Sequence, residues 1–125
     1  MGYLNEFDTN EIDVLSGAFL CVSREAIEKI GMLDETFFMY GEDIDFSYRI
    51  TKGGFKNYYL PETTIIHYKG ESTKKSSGNY VFVFYKAMVI FAQKHFSKNN
   101  ATIFSLAIHI AIYFRASLAI FNRFI

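Results

Sequence analysis

The chain has no tryptophan, one proline and one cysteine, and its thirteen basic residues cancel its thirteen acidic ones. Each shortage excludes something. With Pro61 as the single proline, a loop-dominated chain is not expected. The lone Cys21 has no partner for an intramolecular disulfide and lacks the spaced ligands of a zinc motif, so it reads as a buried free thiol in a reducing compartment. Without net positive charge there is no global case for nucleic acid, and no nucleic-acid partner is expected. The opening residues, Met1 to Asp8, carry neither the basic start nor the apolar core of a secretion signal, and Glu6 stands where a myristoylation signal needs Ser or Thr. The expected location is cytoplasmic.

What the chain does have is apolar surface to bury. Half of its 125 residues are hydrophobic, with 14 Phe and 9 Tyr, which excludes a disordered polar chain and suits one compact domain. Residues 12–22 read as a buried strand around a small Ser16, Gly17, Ala18 centre that lets a backbone or ligand approach closely. Ser23 then suits an N-cap, Ala26, Ile27 and Ile30 form one apolar helix face, and Gly31 stops it. Residues 42–52 suit a second helix, entered at Gly41 and closed by Gly53 and Gly54, with Ile44, Phe46 and Tyr48 as core candidates. Short strands are expected at 56–60 and 63–67, separated by Pro61 and Glu62.

From 69 to 79 Lys, Ser, Thr and Gly accumulate, and a solvated loop is expected. Residues 80–96 read as a helix that is apolar nearly all round, 97–100 as a break, and 101–121 as a second apolar helix. Arg115 leaves an uninterrupted apolar run of only 101 to 114, so this helix reads as packed or interfacial rather than spanning. The division is therefore a mixed part, 1–79, and a helical extension, 80–125.

The chemistry concentrates at Tyr40, Gly41, Glu42, Asp43, Ile44, Asp45 and onward to Arg49, where three carboxylates crowd a helix start. A carboxylate held there can take a proton from a hydroxyl, and Asp43 fits that role best, with Glu42 beside it near the positive end of the helix dipole. The bland alternative is that both merely satisfy free amides at a helix start. Asp45 and Arg49, four apart on one face, are expected to pair structurally. Asp43 and Asp45 imitate a DxD metal motif, yet residues two apart on a helix diverge by about 200°. His67 is a weak metal candidate, and Lys69, Gly70 and Ser72 after it could meet a diphosphate through charge and backbone amides.

Taken in order, Ser16-Gly17-Ala18-Phe19, then Phe37 to Phe46 with Arg49, then Pro61 and His67 to Ser72, the chain resembles the C-terminal, acceptor-side half of bacterial family-two glycosyltransferases, especially rhamnosyltransferase-like ones. The resemblance implies an α/β fragment, a partial GT-A fold with short strands followed by apolar helices. It implies Asp43 as general base, the Ser16, Gly17, Ala18 segment lining the sugar pocket, and His67 near a divalent metal or the donor diphosphate, with Tyr40 and Gly41 expected among the substrate-binding residues. It also implies inverting transfer from a nucleotide-sugar to a polysaccharide or lipid-linked glycan, with manganese or magnesium in the complete parent. The family's nucleotide-binding half would need roughly 100 or more residues before Glu11, so a truncated piece of such an enzyme is expected. Its partners would be the missing half or further copies of itself, with a membrane surface under the apolar helices. Two alternatives are a noncatalytic accessory module that oligomerises and an acidic metal-binding domain; the latter lacks the alternating oxygen ligands of a calcium loop.

Overall fold

The computed structural model describes residues 4–67 and 78–121, with side chains from 82 to 114 in the second stretch. In chain order the elements are β1 (Asn10–Glu11), α1 (Arg24–Ile30), α2 (Glu42–Lys52), β2 (Tyr58–Tyr59), α3 (Gly78–His95) and α4 (Lys98–Phe121). The two strands pair antiparallel, Asn10 opposite Tyr59 and Glu11 opposite Tyr58. The result is a mixed fold of helices with one small antiparallel sheet.

Both short helices follow their end signals. Ser23 caps α1 by accepting the Ala26 amide at 3.2 Å, Ala26 is buried, and Gly31 leaves the helix at φ 81°. Helix α2 starts from Gly41 at φ 86°, a left-handed conformation that suits a residue without Cβ. A Cβ there would also come within 3.2 Å of the Phe37 ring and 3.3 Å of Ala87 on α3. That single position therefore combines a backbone demand with a packing demand.

The strand expected over 12–22 is not formed. An extended segment is a strand only if a neighbour answers its amides, and here the answers come largely from α2. The Leu15 amide donates to Ser47 Oγ at 3.1 Å, and the Gly17 amide to Asp43 Oδ2 at 3.1 Å. The Ile12 amide donates to the Asn57 carbonyl at 3.0 Å. Side chains of a helix thus replace a sheet partner. The strands expected at 56–60 and 63–67 shrink to Tyr58–Tyr59, because β1 offers only two residues to pair.

Two side-chain expectations and one helix boundary are also corrected. Cys21 is exposed, since its segment is not enclosed by a sheet. Ile44 is exposed too, while Phe46 and Ile50 are buried; the side of α2 that turns inward carries Asp45, Phe46, Ser47 and Ile50. The break expected at 97–100 narrows to Ser97, whose carbonyl accepts the Ala101 amide at 2.9 Å and whose Oγ lies 3.5 Å from the Asn100 amide. Capped in this way, α4 begins at Lys98, and Asn99 and Asn100 are helical. The solvated loop expected at 69–79 lies outside the described residues up to position 77.

Helices α3 and α4 pack against each other, with buried Ala92, Ala101 and Ile108 letting them approach. A ladder of aromatic edges joins α2 to α3 and continues to α4. Tyr48 meets Phe91 at 5.5 Å, Phe91 meets Phe96 at 6.2 Å, and Phe96 meets Phe104 at 5.6 Å. Among the described residues no helix is long and apolar enough to cross a membrane.

Candidate active site

Asp43 sits in the first turn of α2, half-buried, with both carboxylate oxygens engaged. Oδ2 accepts the Gly17 amide at 3.1 Å, and Oδ1 accepts the amide of Ile44 at 2.8 Å. The first of these bonds spans 26 residues of sequence and brings the Ser16, Gly17, Ala18 segment onto the helix start. A Cβ on Gly17 would lie 3.5 Å from Asp43 Cβ, an ordinary contact, so glycine here is close to the carboxylate without being sterically required. Ser16, Gly17 and Ala18 are all exposed beside it. Each carboxylate oxygen keeps a second lone pair, so the amides orient Asp43 without exhausting it.

Glu42 behaves differently. Its Oε2 is enclosed and meets no hydrogen-bond partner among the described residues. Tyr40 stacks edge-on against Phe84 of α3 at 6.3 Å. Immediately before it, Met39 adopts φ 71°, a conformation L-residues other than glycine seldom hold. Left-handed residues at 39 and 41 thus bracket Tyr40 and turn the chain sharply into α2.

Beneath Asp43 lies a charged cluster that no local motif announces. Asp45 is fully buried and meets three cationic or imidazole groups. The Arg49 Nε donates at 2.8 Å, Lys94 Nζ lies 3.0 Å from Oδ1, and His95 Nε2 lies 2.7 Å from Oδ1. With Asp45 as acceptor, that imidazole nitrogen carries the proton. Arg49 also donates to the carbonyls of Ile30, at 2.7 Å, and Met32, at 2.8 Å, closing off the end of α1. Lys94 bonds Asp34 as well, so one lysine joins two aspartates.

The cluster decides its own ionisation. Burial alone would raise the Asp45 pKa, but hydrogen bonds from His95, Arg49 and Lys94 outweigh it and hold the carboxyl below the usual range. The Lys94 bond, followed by bonds from Thr36, holds Asp34 well below it too. The expected pairing of Asp45 with Arg49 is present; Lys94, His95 and Asp34 were missed. No sequence signal could have joined residues 49 and 50 positions apart.

His67 is exposed at the edge of the described region, and Lys69, Gly70 and Ser72 lie outside it. Among the described residues no group of three His, Cys, Asp or Glu could hold a metal ion. Asp43 and Asp45 follow the helical divergence expected of them: one is tied to Gly17 and the other to α3. Among the described residues, then, no set of ligands for a divalent metal is assembled.

The described residues thus set a helix-start carboxylate, backed by a buried ionic cluster, in a mixed fold of helices with one small antiparallel sheet. The sequence pattern of "Glycosyltransferase like family 2" matches residues 7–97, and the chain belongs to that family. It is 37% identical over 82 residues to N-acetylglucosaminyl-diphospho-decaprenol L-rhamnosyltransferase of Mycobacterium tuberculosis, covering 65% of this chain and 27% of that protein. It is 27% identical over 95 residues to the low-salt glycan biosynthesis hexosyltransferase Agl10 of Haloferax volcanii, covering 75% and 31% respectively. The rhamnosyltransferase WbbL of Escherichia coli is 33% identical over 57 residues, or 46% of this chain and 22% of that protein. The chain thus spans less than a third of the length of each of these relatives. No solved structure matches it.

Proposed function

We propose that the chain is the acceptor-side portion of an inverting glycosyltransferase of the GT-A type, with residues 1–79 contributing to the transferase domain and 80–125 forming its helical extension. The observation that carries this reading is the placement of Asp43, at a rigid helix start and oriented by the Gly17 amide beside an exposed small-residue segment. The mycobacterial relative is a rhamnosyltransferase named for N-acetylglucosaminyl-diphospho-decaprenol and the archaeal one a hexosyltransferase of glycan biosynthesis, which supports a reading with a rhamnose or other hexose from a nucleotide-sugar as donor and a polysaccharide or lipid-linked glycan as acceptor.

In this reading an acceptor hydroxyl binds against Asp43, which takes its proton as the hydroxyl oxygen attacks the anomeric carbon. The bond from that carbon to the nucleoside diphosphate breaks, the leaving group departs with the electron pair, and the configuration inverts. Glu42 sits in the same first turn and adds negative charge beside the base. Ser16, Ala18, Tyr40 and Gly41 border the acceptor, while Lys69, Gly70, Ser72 and His67 belong on the donor side with the divalent metal of the complete parent. The work is done at the cytoplasmic face of the membrane that carries the acceptor.

Two measurements test this. Calorimetric titration of the purified chain with nucleoside diphosphates and nucleotide-sugars, with and without manganese or magnesium, reads donor binding directly. Saturable binding lost in His67→Ala would mean that part of the donor site resides here; none would place the donor site wholly in the remaining part of the parent. Asp43→Asn in the complete transferase is expected to lower kcat by about 10²–10⁴-fold with folding intact. Unchanged turnover would remove Asp43 from the chemistry. The second reading, a noncatalytic module that oligomerises, is favoured only by the exposed apolar side of α4.

A further inference from the structure

Helix α4 is apolar on two opposite sides, and among the described residues only one of them is packed against another element. At about 100° per residue, Ala101, Phe104, Ile108 and Ile112 fall on the side turned toward α3, where Ala101 and Ile108 are buried. Ile103, Leu106, Ile110 and Tyr113 fall on the other side, within an arc of about 80°, and are 67%, 61%, 60% and 73% exposed. Lys98, Thr102 and His109 run along one edge of that stripe. Lys86 of α3 lines the same inter-helix crevice as His109, extending the polar edge.

The charge of the chain is divided just as sharply. Residues 1–71 hold all thirteen acidic residues with six basic ones, whereas residues 72–125 hold seven basic residues and no acidic one. An apolar helix face edged by polar and cationic groups, in a segment without a single carboxylate side chain, fits a surface that is both oily and negatively charged. A 24-residue helix lying flat would offer about 36 Å of such contact.

We infer that the exposed face of α4 docks in plane on a bilayer containing anionic phospholipid, with Ile103, Leu106, Ile110 and Tyr113 entering the acyl boundary and Lys86 and Lys98 meeting the headgroups. The occupant is a lipid surface rather than a second copy of the chain, because two such segments facing each other would bring like charges together. Neither Asp43 nor any sugar is involved, so failure of this docking and failure of the transferase reading are separate results.

The absence of tryptophan provides a direct test. In Tyr113→Trp the new indole is expected to shift its emission to the blue when the full chain meets vesicles of phosphatidylglycerol and phosphatidylcholine. In Tyr58→Trp, with the reporter on β2, it is expected not to shift. Sedimentation with the same vesicles should fall at least tenfold in Leu106→Glu/Ile110→Glu, and should weaken in high salt or with phosphatidylcholine alone. Circular dichroism confirms that the variant is folded; if it is not, the two tryptophan reporters still decide. Equal shifts at both reporters, or vesicle binding indifferent to the paired substitution in a folded chain, would overturn the assignment. Concentration-dependent dimerisation without vesicle binding would overturn it in favour of a second copy on this face.

Discussion

His95 Nε2 lies 2.7 Å from Asp45 Oδ1, fifty residues away in sequence, at a carboxylate with no exposed surface. This contact pins the end of α3 to the first turns of α2, two residues beyond Asp43. The orientation of the proposed base is thereby connected to the helical extension through a buried charge. Removing one side of such a pairing leaves the other uncompensated, which is where its energetic weight lies.

Asp45→Ala is accordingly expected to destabilise the chain by about 3–5 kcal/mol, read as a lower urea midpoint. Asp45→Asn, which keeps the shape but loses the charge, should cost less. A change below about 0.5 kcal/mol for Asp45→Ala, the level of an ordinary surface substitution, would contradict the buried cluster.

The acid limb of stability follows from the same residues. Asp34 and Asp45 both have folded pKa values depressed relative to the unfolded chain. Their contribution is present above the unfolded carboxylate value of about 3.9 and is lost as pH falls through the lower folded values. Thermal melts should show a declining Tm below about pH 4. In Lys94→Met, which removes the cation shared by both aspartates, the decline should be shallower.

Gly41→Ala should destabilise by about 1–3 kcal/mol. The left-handed backbone at φ 86° and the close approach of Phe37 and Ala87 act together there. Gly31→Ala shares a positive φ but meets nothing within 4 Å, so its cost should be smaller. Equal midpoints for the two variants would show that packing at Gly41 does not matter.

Asn57 is buried and donates to the carbonyls of Asp13, at 3.0 Å, and Ser47, at 3.1 Å, bridging the segment after β1 to α2. Asn57→Ala is expected to cost about 1–3 kcal/mol. Amide exchange should accelerate at Ile12 and Leu15, which lie in the segment it holds; unchanged exchange there would argue against the bridge.

Local rules reach some of these features and not others. Ser23 and Gly31 around α1, and Gly41 and Gly53 around α2, were legible because helix ends are specified by adjacent residues. So was the pairing of Asp45 with Arg49, which helical spacing alone brings together. The stretch 12–22 was misread because apolar, small-residue composition describes a strand and the same residues held extended by helix side chains equally well. Its hydrogen-bond acceptors, Ser47, Asp43 and Asn57, lie dozens of residues away.

By itself the sequence determined the positions of α1 and α2, the apolar character of the two long helices and the ordered motifs that mark the family. Tertiary structure alone decided that Asp43 is steered by Gly17, that Asp45 gathers Lys94 and His95 from α3, and that one side of α4 is left exposed. The physical reason is one of range. Caps, turns and helical periodicity act over a few residues, while burial and the choice of partner for a buried charge depend on which distant segments the folded chain brings together.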